Sequence, residues 1–529
     1  MIYFKLPSSP KNTFEHICIK TNPKLPEVFI SQSLCNYMND IKEKISFREK
    51  EWDVYKKYTN PYEYIHSIVP QKKRSVSKYK PISRSYFKML EMIREFNLDK
   101  PAYNSSIVKN IGRGDFSGED ETPDGLSSLC RVAKRPVGFL SECKRNAAPR
   151  ICVSDLGTAS PVQAEEIRRS LEHSTVLYQS EKTSKMHTFH LAEGPGGFIE
   201  AICNKRNNPE DEYYGMTIIF DETDDNVPAW HKTGHFLSQH PNVTIEYGAD
   251  KTGNLLHIEN FEYCVEKYGG KMDLVTADGG FDFSKDFNRQ EISIFNLLWG
   301  QTCYALCLQK LGGNFVLKIF DIFYEQTVHI LYILSSFYED VNVCKLKTSR
   351  IGNSEKYIVC RKFRFSSYLE FYPIIHQSFS KIKQSLHMSS DSLKYFHENI
   401  QKIDIFAKEP HFARSNMENS ELYAWQLLNC EVPRYFTKQI EDINAIFGQQ
   451  QIENIHYTIS LIDKQPKQDK LDQLVKQNIT KCVNWCVEHG VSYNNLTTTN
   501  IFEQGNQVTS LCPSTKGTGV TRPPFELVK

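Results

Sequence analysis

The feature that most constrains the fold is an alternation of apolar and helix-like segments between residues 187 and 363. The apolar segments that read as β-strands are HTFHLA, YYGMTIIF, NVTIEYG, MDLVTA and NFVLKIF. Near-continuous apolar strands that alternate with helices are typical of a parallel sheet covered on both faces. Two final strands, VNVCKLK and EKYIVCRKF, are expected to pair at the sheet edge. The sequence therefore predicts an α/β fold.

The flanking sequence differs in composition and predicts separate segments. We expect an N-terminal extension (1–70), a basic helix (71–100), a partly disordered insertion (101–185), the α/β core (186–364), a mainly helical C-terminal region (365–503) and a flexible tail (504–529). Within the core, a long amphipathic helix is expected to run from EISIF to the glycines at 312 and 313, because glycine ends helices. Within the C-terminal region, ELYAWQLLN reads as a helix.

Composition excludes several classes of protein. The 64 Lys and Arg residues nearly balance the 63 Asp and Glu residues, so the net charge of +1 indicates no polyanionic partner by itself. No apolar run reaches the length of about 18 residues that a membrane helix needs. The N-terminus lacks the pattern of a secretory signal, and the 15 cysteines lack Cys-x-x-Cys spacing. We expect a soluble, intracellular protein, located in the nucleus or cytoplasm, or in the virion or host cytoplasm if it is viral.

One stretch departs from this even balance of charge. Residues 71–90 contain no acid, and their basic residues are Lys72, Lys73, Arg74, Lys78, Lys80, Arg84 and Lys88. The interleaved aromatics Tyr79, Tyr86 and Phe87 could stack on unpaired bases while the cations neutralise phosphates, so the stretch is a candidate surface for single-stranded RNA. A solvated charge run or a nuclear import signal would look the same.

Chemistry-bearing residues stand at the carboxyl ends of the predicted strands, where open α/β sheets bind ligands. The first strand runs into a turn, EGPGGF, whose glycines allow close approach of a ligand; a plain tight turn is the alternative. Other strands end at Asp278 and Lys318, and the last strand begins at Glu355. A lysine in an apolar strand is costly unless it faces a site, and desolvation would help Lys318 lose its proton. Together these residues indicate a site.

These motifs resemble those of the FtsJ-type RNA 2′-O-methyltransferases. The matching segments are SRSYFKMLE around Lys88, the EGPGGF turn, ADGG, VLK, and KLKTSRIGNSEKYIVC. Within the family, Gly-Met-Thr at 215–217 and the glycine turn look closest to mRNA cap 2′-O-methyltransferases, including those of large DNA viruses. The resemblance covers about residues 78–98 and 186–363, and it implies a Rossmann-like class I methyltransferase fold that uses S-adenosylmethionine.

The resemblance also implies site residues. It implies a tetrad in which Lys318 is the base, Asp278 and Glu355 orient it, and Lys88 positions the hydroxyl and the nearby phosphate. The implied cofactor contacts are Glu193, Gly194, Pro195, Gly196, Gly197, Phe198, Asp221, Asp250 and Asp278. The RNA contacts expected from the basic stretch and the resemblance are Lys72, Lys73, Arg74, Lys78, Lys80, Arg84, Lys345, Ser349 and Arg350. No metal is implied.

The expected function is methylation of the first transcribed nucleotide of capped mRNA, with other capping or transcription proteins as candidate partners of the C-terminal region. Ribosomal or other uncapped RNA is the alternative substrate, and a non-catalytic RNA-binding or assembly subunit is the alternative of another class. Since Lys88 precedes the glycine turn by an unusually long insertion, Lys185 is a second candidate for the first lysine.

Two weaker patterns have structural alternatives. Cys482 and Cys486 beside His489 could be half of a metal site, although buried helix thiols explain the spacing better. Three aromatic residues of the C-terminal region could stack on a methylated guanine or simply pack within the protein: Trp425, Tyr435 and Trp485.

Overall fold

The computed structural model describes residues 1–22, 24–102, 184–219, 230, 232–280, 289–385 and 423–496, without the side chains of 382–385. Apart from its ends, the predicted insertion (101–185) lies outside these residues, as do Asp221 and the predicted tail (504–529). The strands are β1 (Ile2–Lys5), β2 (Ile17–Asn22), β3 (His187–Leu191), β4 (Glu212–Met216), β5 (Val243–Ile245), β6 (Met272–Ala277), β7 (Gln309–Ile319), β8 (Tyr338–Lys345), β9 (Lys356–Phe363) and β10 (Tyr423–Leu428).

The helices of the described residues flank these strands. They are α1 (Gln32–Ser46), α2 (Glu49–Thr59), α3 (Ser85–Phe96), α4 (Gly197–Arg206), α5 (Gly234–Gln239), α6 (Ile258–Tyr268), α7 (Gln290–Ser293), α8 (Phe295–Leu308), α9 (Glu325–Phe337), α10 (Tyr372–Ser385), α11 (Arg434–Lys464) and α12 (Gln468–His489). None of them combines the length and the hydropathy that a membrane span requires.

An eight-stranded sheet forms the centre, in the order β1-β8-β9-β7-β6-β3-β4-β5. The run from β7 to β5 is parallel, whereas β9 pairs antiparallel with both β7 and β8. This arrangement confirms the predicted α/β fold. The two final strands pair as expected, but β9 lies inside the sheet and β1, from the N-terminal extension, covers the edge.

The predicted end of the long core helix is wrong. Helix α8 ends at Leu308, and β7 begins at the next residue, so both glycines lie in the strand; Gly312 has a φ of +80°. Nor is this helix amphipathic, because nearly all of its side chains are buried between the sheet and its neighbours. Cys303 and Cys307 belong to this buried set.

The C-terminal region packs on the N-terminal extension. The predicted helix ELYAWQLLN is in fact strand β10, which pairs antiparallel with β2 and thereby satisfies backbone groups that a helix would satisfy internally. The described helices α11 and α12 agree with the predicted mainly helical region. Trp485 of α12 is buried in the same hydrophobic cluster as Phe87 of α3, Phe198 of α4 and Tyr357 of β9. This cluster joins the two terminal regions to the sheet.

Candidate active site

The glycine turn after β3 is held by an acidic side chain. The backbone N–H of Phe198 donates to Glu193 Oε1 at 2.6 Å, and Gly196 occupies the left-handed region with a φ of +105°. Glu193 is buried, and its Oε2 has no hydrogen-bond partner among the described residues. Burial, aided by the Asp278 carboxylate, raises the pKa of Glu193 well above its usual value. The turn therefore presents an unsatisfied polar atom, which a bound ligand could pair.

The turn also fixes the position of α3. A Cβ atom at Gly197 would lie 2.2 Å from both Ser83 Oγ and Ser85 Oγ, so only glycine allows the start of α3 to pack here. This contact places Lys88, one turn further along α3, beside the carboxyl ends of the strands. The glycine serves the packing of a helix, which is a role that the sequence analysis did not assign to it.

Four charged side chains from distant parts of the chain converge at this sheet edge. Lys88 Nζ lies 2.7 Å from Glu355 Oε2, and both side chains are nearly buried. Lys318 Nζ lies 3.3 Å from Asp278 Oδ1 and donates to the Asp278 carbonyl oxygen at 2.6 Å. A Cβ at Gly280 would come within 3.0 Å of Lys318 Nζ, so this glycine leaves room for the amine. The structure thus brings together the four residues of the expected tetrad.

Tyr357 links the two ion pairs, and the sequence analysis missed it. Its hydroxyl accepts from Lys88 Nζ at 3.2 Å and donates to Asp278 Oδ1 at 2.7 Å. Burial and the nearby carboxylates raise the pKa of Tyr357, so the hydroxyl keeps its proton. The sequence does contain one signal for it: Tyr357 stands two positions after Glu355, and residues two apart on a strand point to the same face.

The Glu355 carboxylate is held ionised. Burial alone would raise its pKa, but the ammonium groups of Lys88 and Lys318 and the hydrogen bonds from Lys88 and Ser349 outweigh burial and lower the pKa. Ser349 Oγ donates to Glu355 Oε1 at 2.6 Å. Each oxygen of this buried carboxylate therefore has a donor, as a buried charge requires.

Three expected RNA contacts have partners inside the protein. Ser349 is buried against Glu355, and Arg350 forms a two-pronged ion pair with Glu63 at 2.9 and 2.7 Å. Lys345 Nζ donates to the carbonyl oxygens of Asn353 and Glu355 at 2.5 and 2.8 Å, and burial lowers its pKa to about 7. The structure places these side chains as supports of the loop between β8 and β9.

The basic stretch is divided between surface and core. Lys72, Lys73, Arg74, Lys78 and Lys80 are exposed, and Arg84 is half-buried at the start of α3. The aromatic part of the prediction is wrong for two residues, since Tyr86 and Phe87 are buried in the hydrophobic cluster. Tyr79 is partly buried, and its hydroxyl donates to Glu200 at 2.6 Å. The exposed cations are therefore accessible to a nucleic acid, whereas the buried rings of Tyr86 and Phe87 are not.

Other candidate cofactor contacts differ in their surroundings. The Phe198 ring is fully buried and packs against Tyr357, so the ring belongs to the hydrophobic core. Asp250 is exposed, and its carboxylate accepts from Thr252 and His257 of the following loop and from Asn260 of α6. These bonds lower the pKa of Asp250 to about 2, although partial burial alone would raise it.

A tryptophan beside the glycine turn was not predicted. Atoms of the Trp230 ring lie 3.4 Å from a Cβ built at Gly196 and 2.6 Å from one built at Gly215. Its buried indole N–H has no partner among the described residues. The ring therefore packs where two glycines leave space, next to the candidate ligand site.

The remaining candidates lie away from the site or pack within the core. Lys185 pairs with Glu212 at 2.5 Å on the surface, at the amino end of β4, so Lys88 is the lysine that reaches the cluster. Cys482 and Cys486 are buried, His489 stacks on the buried Trp485, and the described residues contain no group of metal ligands. Trp425 Nε1 donates to the Lys24 carbonyl oxygen, and Tyr435 is exposed.

This chain resembles a known family and several known proteins. The profile of the FtsJ-like methyltransferase family matches residues 171–363. A cap-specific mRNA (nucleoside-2′-O-)-methyltransferase 2 of Drosophila melanogaster is 25% identical over 58% of this chain and 44% of the relative. A cap-specific mRNA (nucleoside-2′-O-)-methyltransferase 1 of Dictyostelium discoideum is 31% identical over 48% of this chain and 33% of the relative.

A third relative is named as inactive. This inactive cap-specific mRNA (nucleoside-2′-O-)-methyltransferase 1B of Caenorhabditis briggsae is 24% identical over 49% of this chain and 30% of the relative. The chain thus spans less than half the length of these three curated relatives. Seven of the eight strands of the central sheet, β3 to β9, lie within the residues that the family model matches. Residues 171–363 therefore carry an FtsJ-like methyltransferase domain, whose described residues form a Rossmann-like fold.

Proposed function

We propose that this chain is an S-adenosylmethionine-dependent RNA 2′-O-methyltransferase that methylates the ribose of the first transcribed nucleotide of capped mRNA. The observation that carries the proposal is the convergence of Lys88, Asp278, Lys318 and Glu355 at the carboxyl edge of the sheet. Such a group of buried, alternating charges is expensive to assemble and is typical of a functional site.

The proposed reaction needs a base close to the ribose. In the proposed step Lys318 acts as the base, and its amine, once unprotonated, would accept the proton of the ribose 2′-hydroxyl. The Asp278 carboxylate directs this amine from 3.3 Å and is itself held by the Tyr357 hydroxyl at 2.7 Å. Glu355 holds Lys88 in place to position the hydroxyl and its phosphate. In this mechanism, alignment of the reacting atoms is the main contribution of the protein.

The turn after β3 fits the proposed cofactor. S-adenosylmethionine supplies a methyl group on a sulfonium centre, which already has a good leaving group. Glu193, whose buried Oε2 has no partner in the described part of the chain, and the backbone of Gly194 and Gly196 would hold the cofactor. Asp278 and Asp250 remain proposed contacts, as does Asp221 outside the described residues.

Capped mRNA is favoured over other RNA because relatives from several organisms are named as cap-specific. Similarity alone does not separate an enzyme from a non-catalytic subunit, since a relative named as inactive matches to a comparable extent. The geometry favours the enzyme, because each of the four charged side chains has an oppositely charged partner in the site.

The test compares capped and uncapped RNA of one sequence, incubated with radiolabelled S-adenosylmethionine. We expect transfer to the capped RNA, located on the first nucleotide by nuclease digestion. Lys318→Ala should reduce the rate by about 10²- to 10⁴-fold, the usual contribution of an acid–base group. The matched control is Lys205→Ala, an exposed lysine on α4. Equal transfer to both RNAs would contradict cap specificity, and no transfer by the wild type would contradict the enzyme.

We propose that the exposed cations of the basic stretch bind the RNA backbone. Because lysines and arginines displace counterions from phosphates, binding should weaken as salt rises. Replacing Lys72, Lys73 and Arg74 by alanine should raise KM for RNA and flatten this salt dependence by roughly one unit of slope for each lost phosphate contact. Fluorescence anisotropy with capped RNA at several salt concentrations measures it, and an unchanged slope would contradict the assignment.

The proposed substrate carries further expectations. An mRNA-modifying enzyme would act inside the cell, in the nucleus or cytoplasm, or in the host cytoplasm or virion if the chain is viral. Capping or transcription proteins remain proposed partners. Immunoprecipitation of the full chain, followed by probing for cap-binding and polymerase subunits, tests this.

A further inference from the structure

A second buried ionic cluster lies next to the candidate site, at residues close in sequence to Lys318 and Glu355. Asp321 Oδ2 lies 2.8 Å from Lys42 Nζ, and Asp321 Oδ1 lies 3.3 Å from Lys356 Nζ. Ser354 Oγ donates to Asp321 Oδ2 at 2.9 Å. The three charged side chains are each about nine-tenths buried, so two cations from different elements share one carboxylate away from water.

The cluster joins the strand that carries the proposed base, Lys318, to the segment that carries Glu355. Asp321 follows Lys318 by three residues, just beyond the end of β7. Two of the residues that contact Asp321, Ser354 and Lys356, are the immediate neighbours of Glu355. One carboxylate therefore anchors the chain on both sides of the acid that pairs with Lys88.

Further bonds fix the same segment. Lys356 Nζ also donates to the carbonyl oxygens of Phe320 and Ser354, both at 3.0 Å. The carbonyl oxygen of Glu355 accepts a hydrogen bond from Lys345 Nζ. The backbone N–H of Glu355 donates to Asn353 Oδ1 at 2.6 Å. The backbone around Glu355 is thus bonded before, at and after this residue.

The third member of the ionic cluster comes from outside the matched methyltransferase region. Lys42 lies on α1 of the N-terminal extension, whereas the family match begins at residue 171. The loss of Lys42 would leave Asp321 with Lys356 as its only described cationic partner. Since a buried charge without sufficient partners is costly, the cluster depends on α1.

We propose that Asp321, together with Lys42, is a positioning residue that holds the Ser354–Lys356 segment so that Glu355 meets Lys88. The proposal rests on the proposed function for its effect on catalysis. The structural part of the proposal, that Asp321 fixes this segment, does not depend on the proposed function. Two readouts therefore separate the two parts.

The test uses the full chain with Asp321→Asn, Ser354→Ala and Lys42→Met. We expect kcat to fall by about 10-fold or more while KM for RNA and cofactor stays within about twofold, because small displacements of aligned groups lower the rate of the chemical step. We also expect faster amide hydrogen exchange in residues 346–357, measured by mass spectrometry without substrate. Lys42→Arg, which keeps the charge, should recover most of the rate.

The matched control is Asp340→Asn. Like Asp321, Asp340 is a carboxylate shared by two cations: it pairs with Arg361 of β9 at 3.0 Å and with Lys5 of β1, but at the opposite end of β9. It should leave kcat and the exchange of 346–357 unchanged. Ser354→Ala removes a single hydroxyl and serves if Asp321→Asn fails to fold.

Each outcome decides the matter. Faster exchange with a lower kcat supports the proposal, and unchanged exchange in all three variants overturns it. Faster exchange with an unchanged kcat overturns the catalytic part. If the wild type transfers no methyl group, the proposed function fails, while the exchange data still decide whether Asp321 holds the segment.

Discussion

At the scale of single residues, the site combines charges that would be costly alone. Lys88 and Glu355 are both nearly buried, and so are Lys318 and Asp278. An isolated buried ion loses several kcal/mol of hydration, which only an opposite charge and good hydrogen bonds can offset. Tyr357 completes the arrangement because its hydroxyl can accept from one pair and donate to the other.

We therefore expect Tyr357→Phe to lower kcat by about 10-fold, since it removes one hydrogen bond each from Lys88 and Asp278 without removing the ring. The aromatic packing against Phe198 stays in place. Steady-state kinetics with capped RNA measures the effect. The control is Tyr338→Phe, which removes a buried hydroxyl that donates to Gln309, away from the site. Equal rates for both variants would remove Tyr357 from the mechanism.

Single residues also show what the sequence could predict. Lys318 and Glu355 stand out because a charge within or beside an apolar strand needs a reason. Tyr357 does not stand out, because an aromatic residue in a strand is ordinary. Lys345 is the opposite case. Its charge made it a candidate RNA contact, and only the structure shows that its amine donates to two backbone carbonyl oxygens.

At the scale of elements, the glycine turn and α3 depend on each other. The Cβ of an alanine at position 197 would lie 2.2 Å from two serine hydroxyl oxygens and 3.0 Å from Tyr86 N. A shift of α3 would relieve the contact, but it would also move Lys88 away from Glu355. Gly197 thus couples the proposed cofactor site to the proposed catalytic group.

Gly197→Ala is accordingly expected to lower both the melting temperature and the rate of methyl transfer, because overpacking costs about 1–3 kcal/mol. Adding Ser83→Ala and Ser85→Ala should restore part of both losses, since these changes remove the two closest atoms. Thermal unfolding and kinetics on the single and combined variants give the interaction energy between position 197 and the two serines. Purely additive effects would contradict a direct contact.

Elements were predictable where the signal is local. The parallel strands β3, β4, β6 and β7 follow from runs of apolar residues, and the order of the sheet confirms the fold class. Strand β10 was mistaken for a helix, because its structure depends on pairing with β2, some 400 residues away. A distant partner of this kind leaves no mark in the local pattern.

At the scale of the whole molecule, the described parts of the two terminal regions pack against each other. Asn478 of α12 donates to the Tyr58 carbonyl oxygen at 2.8 Å, and Thr59 bonds Thr458 of α11 at 2.7 Å. Lys347, in the loop between β8 and β9, pairs with Glu488 at 3.2 Å. The C-terminal helices therefore support the elements that carry Lys88 and Glu355.

Trp485 tests this coupling across the molecule. Its ring is 1% exposed and lies 5.8 Å from the ring of Phe87, the neighbour of Lys88. Trp485→Ala should cost about 3–5 kcal/mol of unfolding free energy and, at a temperature where the variant stays folded, should lower kcat, because the cavity lets α3 shift. Urea unfolding and kinetics measure both. Tyr435→Ala, a control at a 56% exposed residue of α11, should change stability by less than about 0.5 kcal/mol. A folded Trp485→Ala variant with an unchanged kcat would mean that α12 does not position Lys88.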